Sequence, residues 1–360
     1  MWKVVENKSQ CCGCGACVEV CPSNAITMVE DGEGIPYPKI DEKKCIDCGR
    51  CEDVCPMAYE AKEMPGQVYL GVQAKEDAIR FTSASGGFFP VLARDILAKG
   101  GVVFGAAMEA GGKVVHRDIQ TIEGLSALQT TKYVQSDLKG CYRKVAQYIE
   151  KGRQVLFTGT PCQCQAVKRY LGGKPENLLL ADLVCYGAPS PGIWRKYVRE
   201  LEKKYGGRLT GFNFRDKRGK DNGHTIALHI DNKEYTWPMQ KDSYCRIYFR
   251  NYTLRPSCHE CRFCTVNRES DITMGDFWGI ENVRPELDDG MGNSMVILHT
   301  RKARESWESI KESFRYFTCQ KEDVLQPRLC TPTPKSSRRK RFMLLNRFLA
   351  VSTAEKLLRY

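Results

Sequence analysis

No stretch of this chain approaches eighteen consecutive apolar residues, so the sequence contains no candidate for a helix that spans a bilayer. The first ten residues, MWKVVENKSQ, hold no apolar segment of the signal-peptide kind. A disulfide framework is equally poorly supported. The nineteen cysteines cluster at metal-binding spacings, in a chain of 360 residues that can bury a full core without covalent staples. These absences point to a cytoplasmic, reducing and anaerobic setting. The net charge of +12 is diffuse, and a basic, cysteine-rich nucleic-acid-binding protein is one alternative reading of it. An acidic small molecule or redox partner accounts for it equally well, and thiolate-bound clusters would lower it. No nucleic-acid partner is expected.

What the sequence does contain is a cysteine run, Cys11-Cys12-Gly13-Cys14-Gly15-Ala16-Cys17-Val18-Glu19-Val20-Cys21-Pro22, repeated 34 residues later from Cys45 to Pro56. Both copies read C-x2-C-x2-C-x3-C-P, the spacing of bacterial ferredoxins with two clusters. Three thiolates two residues apart wrap one face of a cubane, and the fourth lies too far along to close the same cluster. One [4Fe-4S] cluster is therefore expected on Cys11, Cys14, Cys17 and Cys55, and a second on Cys45, Cys48, Cys51 and Cys21. Cys12 falls off the pattern and reads as a spectator. Zinc also uses C-x2-C pairs, but does not need eight cysteines in two copies each closed by proline.

The expected organisation is a ferredoxin-type module over 1–65, a larger α/β domain over 66–330 with subregions 66–150 and 151–330, and a basic tail over 331–360. The fold class is α+β in the module and α/β with a mixed sheet in the body. Strand signals at Val68–Val72, Val102–Ala106, Gln154–Thr158 and Asn177–Val184 alternate with helical ones over 88–97, 137–150, 166–171 and 193–205. Cys162 and Cys185 follow two of these strands, where open α/β sheets place ligands. Ser85-Gly86-Gly87 precedes a helical stripe, and reads either as a plain cap or as a phosphate cradle. From Leu209 the pattern is strand-rich. A third cysteine group, Cys258, Cys261 and Cys264, lacks the closing Cys-Pro and must find ligands elsewhere. Residues 305–314 read as a helix. The tail reads as a solvated helix docked on the body, with peripheral contact to acidic lipid or a partner as the alternative.

Several segments together resemble the β-subunit family of coenzyme F-420 hydrogenases and dehydrogenases. They are Thr82–Gly87, Lys132–Ser136, Gly159–Gln163, Phe214–Lys217, Arg255–Cys258 and Ser270–Gly279, in order across roughly 66–325. The resemblance implies an FAD-containing iron–sulfur subunit of a larger redox complex. Ser83, Ser85, Gly86 and Gly87 would hold the FAD pyrophosphate. Lys132, Tyr133, Gln135 and Ser136 would line the ring system, and Arg215 and Lys217 would face an acidic coenzyme or flavin edge. It further implies a third [4Fe-4S] cluster on Cys162, Cys185, Cys258 and Cys261. Cys264 and Cys164 compete for that role, and zinc or inert thiols are the alternative for the site.

The implied chemistry links a two-electron hydride carrier, coenzyme F-420 as substrate, to one-electron clusters through the flavin, with no acid–base dyad expected. Family membership extends beyond deazaflavins. A ferredoxin-dependent reductase of another substrate and a non-catalytic electron relay therefore stand beside the first reading, with ferredoxin or the other subunits of a complex as redox partners.

Overall fold

In the computed structural model, residues 7–58, 60–219 and 224–358 are described. The N-terminal module consists of two short helices, Ala16–Val20 and Arg50–Asp53, and a hairpin of strands β1 (Ile26–Glu30) and β2 (Pro36–Ile40). The hairpin pairs antiparallel with Met28 opposite Pro38. Strands β3 (Val68–Ala74), β4 (Val102–Met108), β5 (Val114–Ile119), β6 (Val155–Gly159), β7 (Leu178–Leu183), β8 (Leu209–Asp216), β9 (Thr225–Ile230), β10 (Lys233–Pro238), β11 (Ile272–Asp276), β12 (Ser294–Leu298) and β13 (Phe314–Cys319) follow.

Eight of these form one mixed sheet in the order β13-β3-β12-β11-β7-β6-β4-β5. Its centre is parallel: β4 pairs with β6, β6 with β7, and β7 with β11. The near-continuous apolar runs of β6 and β7 fit this position, because a strand covered by helices on both faces has no polar side, and antiparallel β12 is buried on both faces too. Alternation still sorts the residues. Leu156, Leu179 and Val296 join one core with the helices Phe88–Ala98 and Arg301–Ile310. Val155, Phe157, Leu178 and Leu180 face the other core, beneath the helices Cys141–Glu150 and Pro161–Tyr170. That second core also takes in Ala16 and Val54, so the ferredoxin-type module shares apolar packing with the body.

A separate three-stranded sheet, β10-β9-β8, packs with the helices Pro191–Tyr205 and Ser243–Phe249 into another core. Phe342, Met343, Val351, Ala354 and Leu358 of the tail complete this core. The tail is therefore docked on the body, and its apolar side chains are part of that core. Glu355, the single acidic residue of 331–360, is fully buried and grips Arg246 through two bonds of 2.8 and 2.9 Å. Two expected helices are also corrected. The 166–171 helix starts earlier, at Pro161, capped by Thr160 and Gln163. The 305–314 helix is instead Arg301–Ile310, and Phe314 opens β13. The run Phe314-Arg315-Tyr316-Phe317-Thr318 is rich in β-formers, and its pairing with β3 places it at the sheet edge.

Among the described residues, no helix is long and apolar enough to cross a membrane.

Candidate iron–sulfur and coenzyme site

The C-terminal ends of the parallel strands meet the module, and the cysteines gather there. Cys11, Cys14, Cys17 and Cys55 all line one small cavity, together with Met28, Pro38 and Met57. Cys17 and Cys55 each lie within electrostatic reach of both Cys11 and Cys14, which brings together one crossed set of four. The second set is more open. Cys45 and Cys48 are exposed, and Cys48 acts on Cys51. Cys21 instead faces Ser23 Oγ at 3.6 Å and the Ala25 N–H at 3.3 Å. Partial desolvation raises the Cys21 thiol, but these hydrogen bonds outweigh it and hold the group below its ordinary value.

Behind the first set lies a further thiol group. Cys162 sits in the first turn of the helix that follows β6, and Cys185 lies just beyond β7. Cys185 is within electrostatic reach of Cys162, Cys258 and Cys261. Cys264 joins them, close to Cys261 and within reach of Cys185. Cys164, also within electrostatic reach of Cys162, is buried against Asp182 and Ser270. The loop from Cys258 to Cys264 is held by Arg268, which donates to the carbonyls of Phe263 and Thr265 and pairs with buried Asp182 at 2.9 Å. Cys12, the apparent spectator, is half-buried and interacts electrostatically with both Cys14 and Cys162. It occupies the boundary between the two thiol groups. Its role was not legible in the motif, because it depends on how the module docks.

These residues fit iron–sulfur clusters. Burial pushes the thiols of Cys55 and Cys258 up to about 12, so a metal centre is needed to draw them into the thiolate form. Among the described residues, no three His, Cys, Asp or Glu side chains converge tightly enough for a single metal ion. A four-iron cubane needs a wider ring of thiols than that.

The docking that aligns the two groups is specific. Gln135 donates to the carbonyls of Cys12 and Gly13, both at 3.2 Å, and Tyr142 donates to Cys14 O at 2.8 Å. Gly13 adopts a left-handed backbone (φ +72°), and any side chain there would collide with Arg255 and Gln135. On the hairpin, Gly34 approaches Gly192 so closely that a Cβ would stand 2.5 Å from its Cα. Arg143 pairs with Glu19 at 2.8 Å, and Arg169 donates to Asp53 O at 2.8 Å.

A cavity of about 670 Å³ opens nearby, between the end of β11, the segment after β8 and the helix Ser243–Phe249. Ser85, Tyr133, Arg215 and Lys217 line it, and so do Arg246, Phe249, Arg250, Asp276 and Trp278. Arg215 bonds Asp276 at 2.6 Å. Lys217 donates to the carbonyls of Arg80, Ser85 and Met291, and desolvation, with help from Arg215, lowers it to about 8. Phe249 and Trp278 leave large apolar faces exposed there. Four cations against two acidic residues, Asp276 and Asp288, give the cavity a positive wall. Tyr133 stacks on Tyr248 with ring centroids 5.0 Å apart, and Tyr248 lies within electrostatic reach of Cys185. The cavity wall thus backs directly onto the second thiol group.

The other residues proposed for the coenzyme lie elsewhere. Lys132 is half-buried, bonded to the carbonyls of Ala127, Gln129 and Thr130, and desolvation lowers it to about 7. Gln135 faces the module. Ser136 Oγ accepts from Gln163 at 3.0 Å, and Ser83 donates to Ile79 O at 2.6 Å. The Gly86 N–H bonds Ser294 Oγ at 2.9 Å, and a Cβ there would meet Val72 O at 2.5 Å. Gly86 is required by the packing of β3 against β12, so the segment meets the cavity through Ser85 rather than through glycine N–H groups. Arg246, Arg250, Phe249 and Trp278 were missed by sequence reasoning. Only Trp278 carried a signal, as the aromatic residue of the Asp271–Gly279 segment.

Comparisons with known proteins agree with this arrangement. Residues 152–323 match the family model for the C terminus of the coenzyme F-420 hydrogenase/dehydrogenase beta subunit. Residues 10–59 match a 4Fe-4S dicluster domain, and residues 40–82 match the 4Fe-4S single cluster domain of ferredoxin I. No curated protein matches the chain. Among solved structures, a chain from the xenon-derivatised F-420-reducing [NiFe] hydrogenase complex of Methanosarcina barkeri aligns over 84% of this chain and 93% of its own. Its identity is 16% and its TM-score 0.46, too low to bear on function. The chain thus joins a 4Fe-4S dicluster module to a region, residues 152–323, that matches the C terminus of the coenzyme F-420 hydrogenase/dehydrogenase beta subunit.

Proposed function

We propose that this chain is an iron–sulfur oxidoreductase subunit that moves electrons between a flat, anionic hydride-carrying coenzyme and its [4Fe-4S] clusters. One observation carries the reading: the aromatic wall of the positive cavity, through Tyr133 and Tyr248, is also the backing of Cys185. A planar ring held in the cavity would lie two stacked tyrosine rings, Tyr133 and Tyr248, from the thiol group of Cys162, Cys185, Cys258 and Cys261. Arg215, Lys217, Arg246 and Arg250 suit phosphate or carboxylate groups, and Trp278 and Phe249 suit a ring face.

FAD is the occupant that best suits this size and charge, with a deazaflavin coenzyme of F-420 type as hydride donor. When bound, such a flavin takes a hydride and passes electrons on singly. The chain's own residues position the ring, neutralise its anionic groups and keep water from the thiol groups. Onward transfer would run from the third cluster to that of Cys11, Cys14, Cys17 and Cys55, then to the exposed cluster of Cys45 and Cys48, where a ferredoxin or another partner protein collects electrons. The test is FAD content after anaerobic purification. Arg215→Ala, paired with Phe249→Ala, is expected to lower it at least tenfold while iron content holds. Unchanged FAD in both variants would remove the cavity from the coenzyme path.

A further inference from the structure

Among the described residues four arginines are buried: Arg80, Arg255, Arg268 and Arg339. Three have carboxylate partners, Asp289 for Arg80, Asp182 for Arg268 and Glu33 for Arg339. Arg255 has none among the described residues. Its guanidinium donates to Cys11 O at 3.1 Å, Pro36 O at 2.7 Å and Gln135 Oε1 at 3.3 Å, and stacks over the Tyr37 ring at 4.8 Å. Carbonyls and a ring face satisfy its hydrogens, yet they leave its charge uncompensated. Burying an unpaired cation is costly, and such a group persists only where an anion lies near.

The groups that stand in that position are thiols from two different sets. Arg255 acts electrostatically on Cys11 and Cys14 of the module and on Cys258 of the body, three residues along its own chain. The charges acting most strongly on Cys21 and Cys51 do not include it. We infer that Arg255 is the shared counter-cation of two clusters, the one on Cys11, Cys14, Cys17 and Cys55 and the one on Cys162, Cys185, Cys258 and Cys261, holding their potentials up and close together. The inference rests on reading both thiol sets as cluster ligands, which iron content and low-temperature spectra of the unaltered chain test separately.

The physical reason is simple. A cluster ligated by four thiolates is an anion that gains one more negative charge on reduction, so a fixed cation beside it favours the reduced form. A cation between two clusters does this for both, and the electron loses little in passing from one to the other. The same side chain ties the module to the body through Cys11 O and Pro36 O, so the electrostatic contact forms only when the module is docked. Arg255 touches no substrate and acts as a positioning and tuning residue.

The experiment is a reductive titration of the full chain, reconstituted anaerobically and followed by electron paramagnetic resonance, for the parent, Arg255→Gln and Arg255→Lys. In Arg255→Gln two clusters should become harder to reduce by about tenfold in the reduction equilibrium, ~59 mV for one electron. The exposed cluster should titrate as in the parent and serve as internal reference. Arg255→Lys should keep parent potentials. Unchanged potentials in an iron-replete Arg255→Gln chain overturn the inference. If Arg255→Gln fails to load iron, Arg255→Lys decides: loading with parent potentials supports a requirement for charge, and loss of iron there too reduces Arg255 to a structural pin.

Discussion

Glu355 is where the tail, the positive cavity and the stability of the chain meet, and replacing it with glutamine separates their contributions. The carboxylate is fully buried and accepts two bonds from Arg246, with Arg250 a further 3.6 Å away. Glu355→Gln keeps the shape and one acceptor but removes the charge, and sets an amide N–H₂ against guanidinium donors. Breaking a buried pair costs about 3–5 kcal/mol. Arg246 and Arg250 side chains are 18% and 42% exposed, so water recovers part of this for them. A net loss of about 3 kcal/mol in tail docking is expected, roughly a hundredfold in the opening equilibrium. Limited trypsin digestion reads it directly, since cleavage at Lys340 and Arg341 requires the helix Arg339–Phe348 to open, and the rate follows the open population. Cleavage about a hundredfold faster is expected, with weaker coenzyme retention because Arg246 and Arg250 line the cavity. A rate close to that of the parent would show that apolar contacts of Phe342 and Val351 hold the tail unaided, and would refute the reasoning.

Three further outcomes follow from the same geometry. Gly13→Ala forces a side chain into a left-handed position already filled by Arg255, at a cost of at least about 1–2 kcal/mol. It should lower the iron content of the reconstituted chain, and full loading would contradict the docking described. Lys217 has its charged form disfavoured by burial, so it is protonated below about 8 and neutral above. Affinity for an anionic coenzyme, measured by equilibrium dialysis at constant ionic strength, should fall as pH rises through that value. Lys217→Met should flatten that step. Cys12→Ser should leave the iron count unchanged, since the two thiol groups keep at least four cysteines each without it; a loss of about four iron atoms would make Cys12 a ligand.

Much of this was legible because its physics is local. The two ferredoxin runs announce a 4Fe-4S module by spacing alone, and the structure gathers one of the two crossed sets, Cys11, Cys14, Cys17 and Cys55; apolar runs such as Val155–Thr158 and Leu178–Ala181 announce strands covered on both faces. The grouping of Cys162, Cys185 and Cys258 came from the family resemblance, since three such distant cysteines carry no local signal. Less legible was whatever depends on long-range docking. Cys12 looked idle because its neighbour Cys162 lies 150 residues away. Glu355 carries no local signal beyond being the single acid of a basic tail. Lys132 and Gly86 were read as coenzyme contacts, yet the fold spends Lys132 on three carbonyls and Gly86 on a strand contact. Polar residues that complete backbone hydrogen bonding cannot be told from ligand-binding ones until the backbone is in place.

The central claim is that one chain joins a coenzyme cavity to a line of clusters, and anaerobic rapid mixing tests it most directly. The iron- and FAD-replete chain would be mixed with excess reduced deazaflavin while absorbance is followed at the flavin band and at the broad iron–sulfur band. The account predicts about eight to twelve iron atoms and about one FAD per chain, from two or three cubanes. It also predicts flavin bleaching followed by cluster bleaching, with only the first phase retained in Cys258→Ser. Cluster bleaching that proceeds at the parent rate in that variant, or a flavin that no hydride donor reduces while a ferredoxin does, would contradict it.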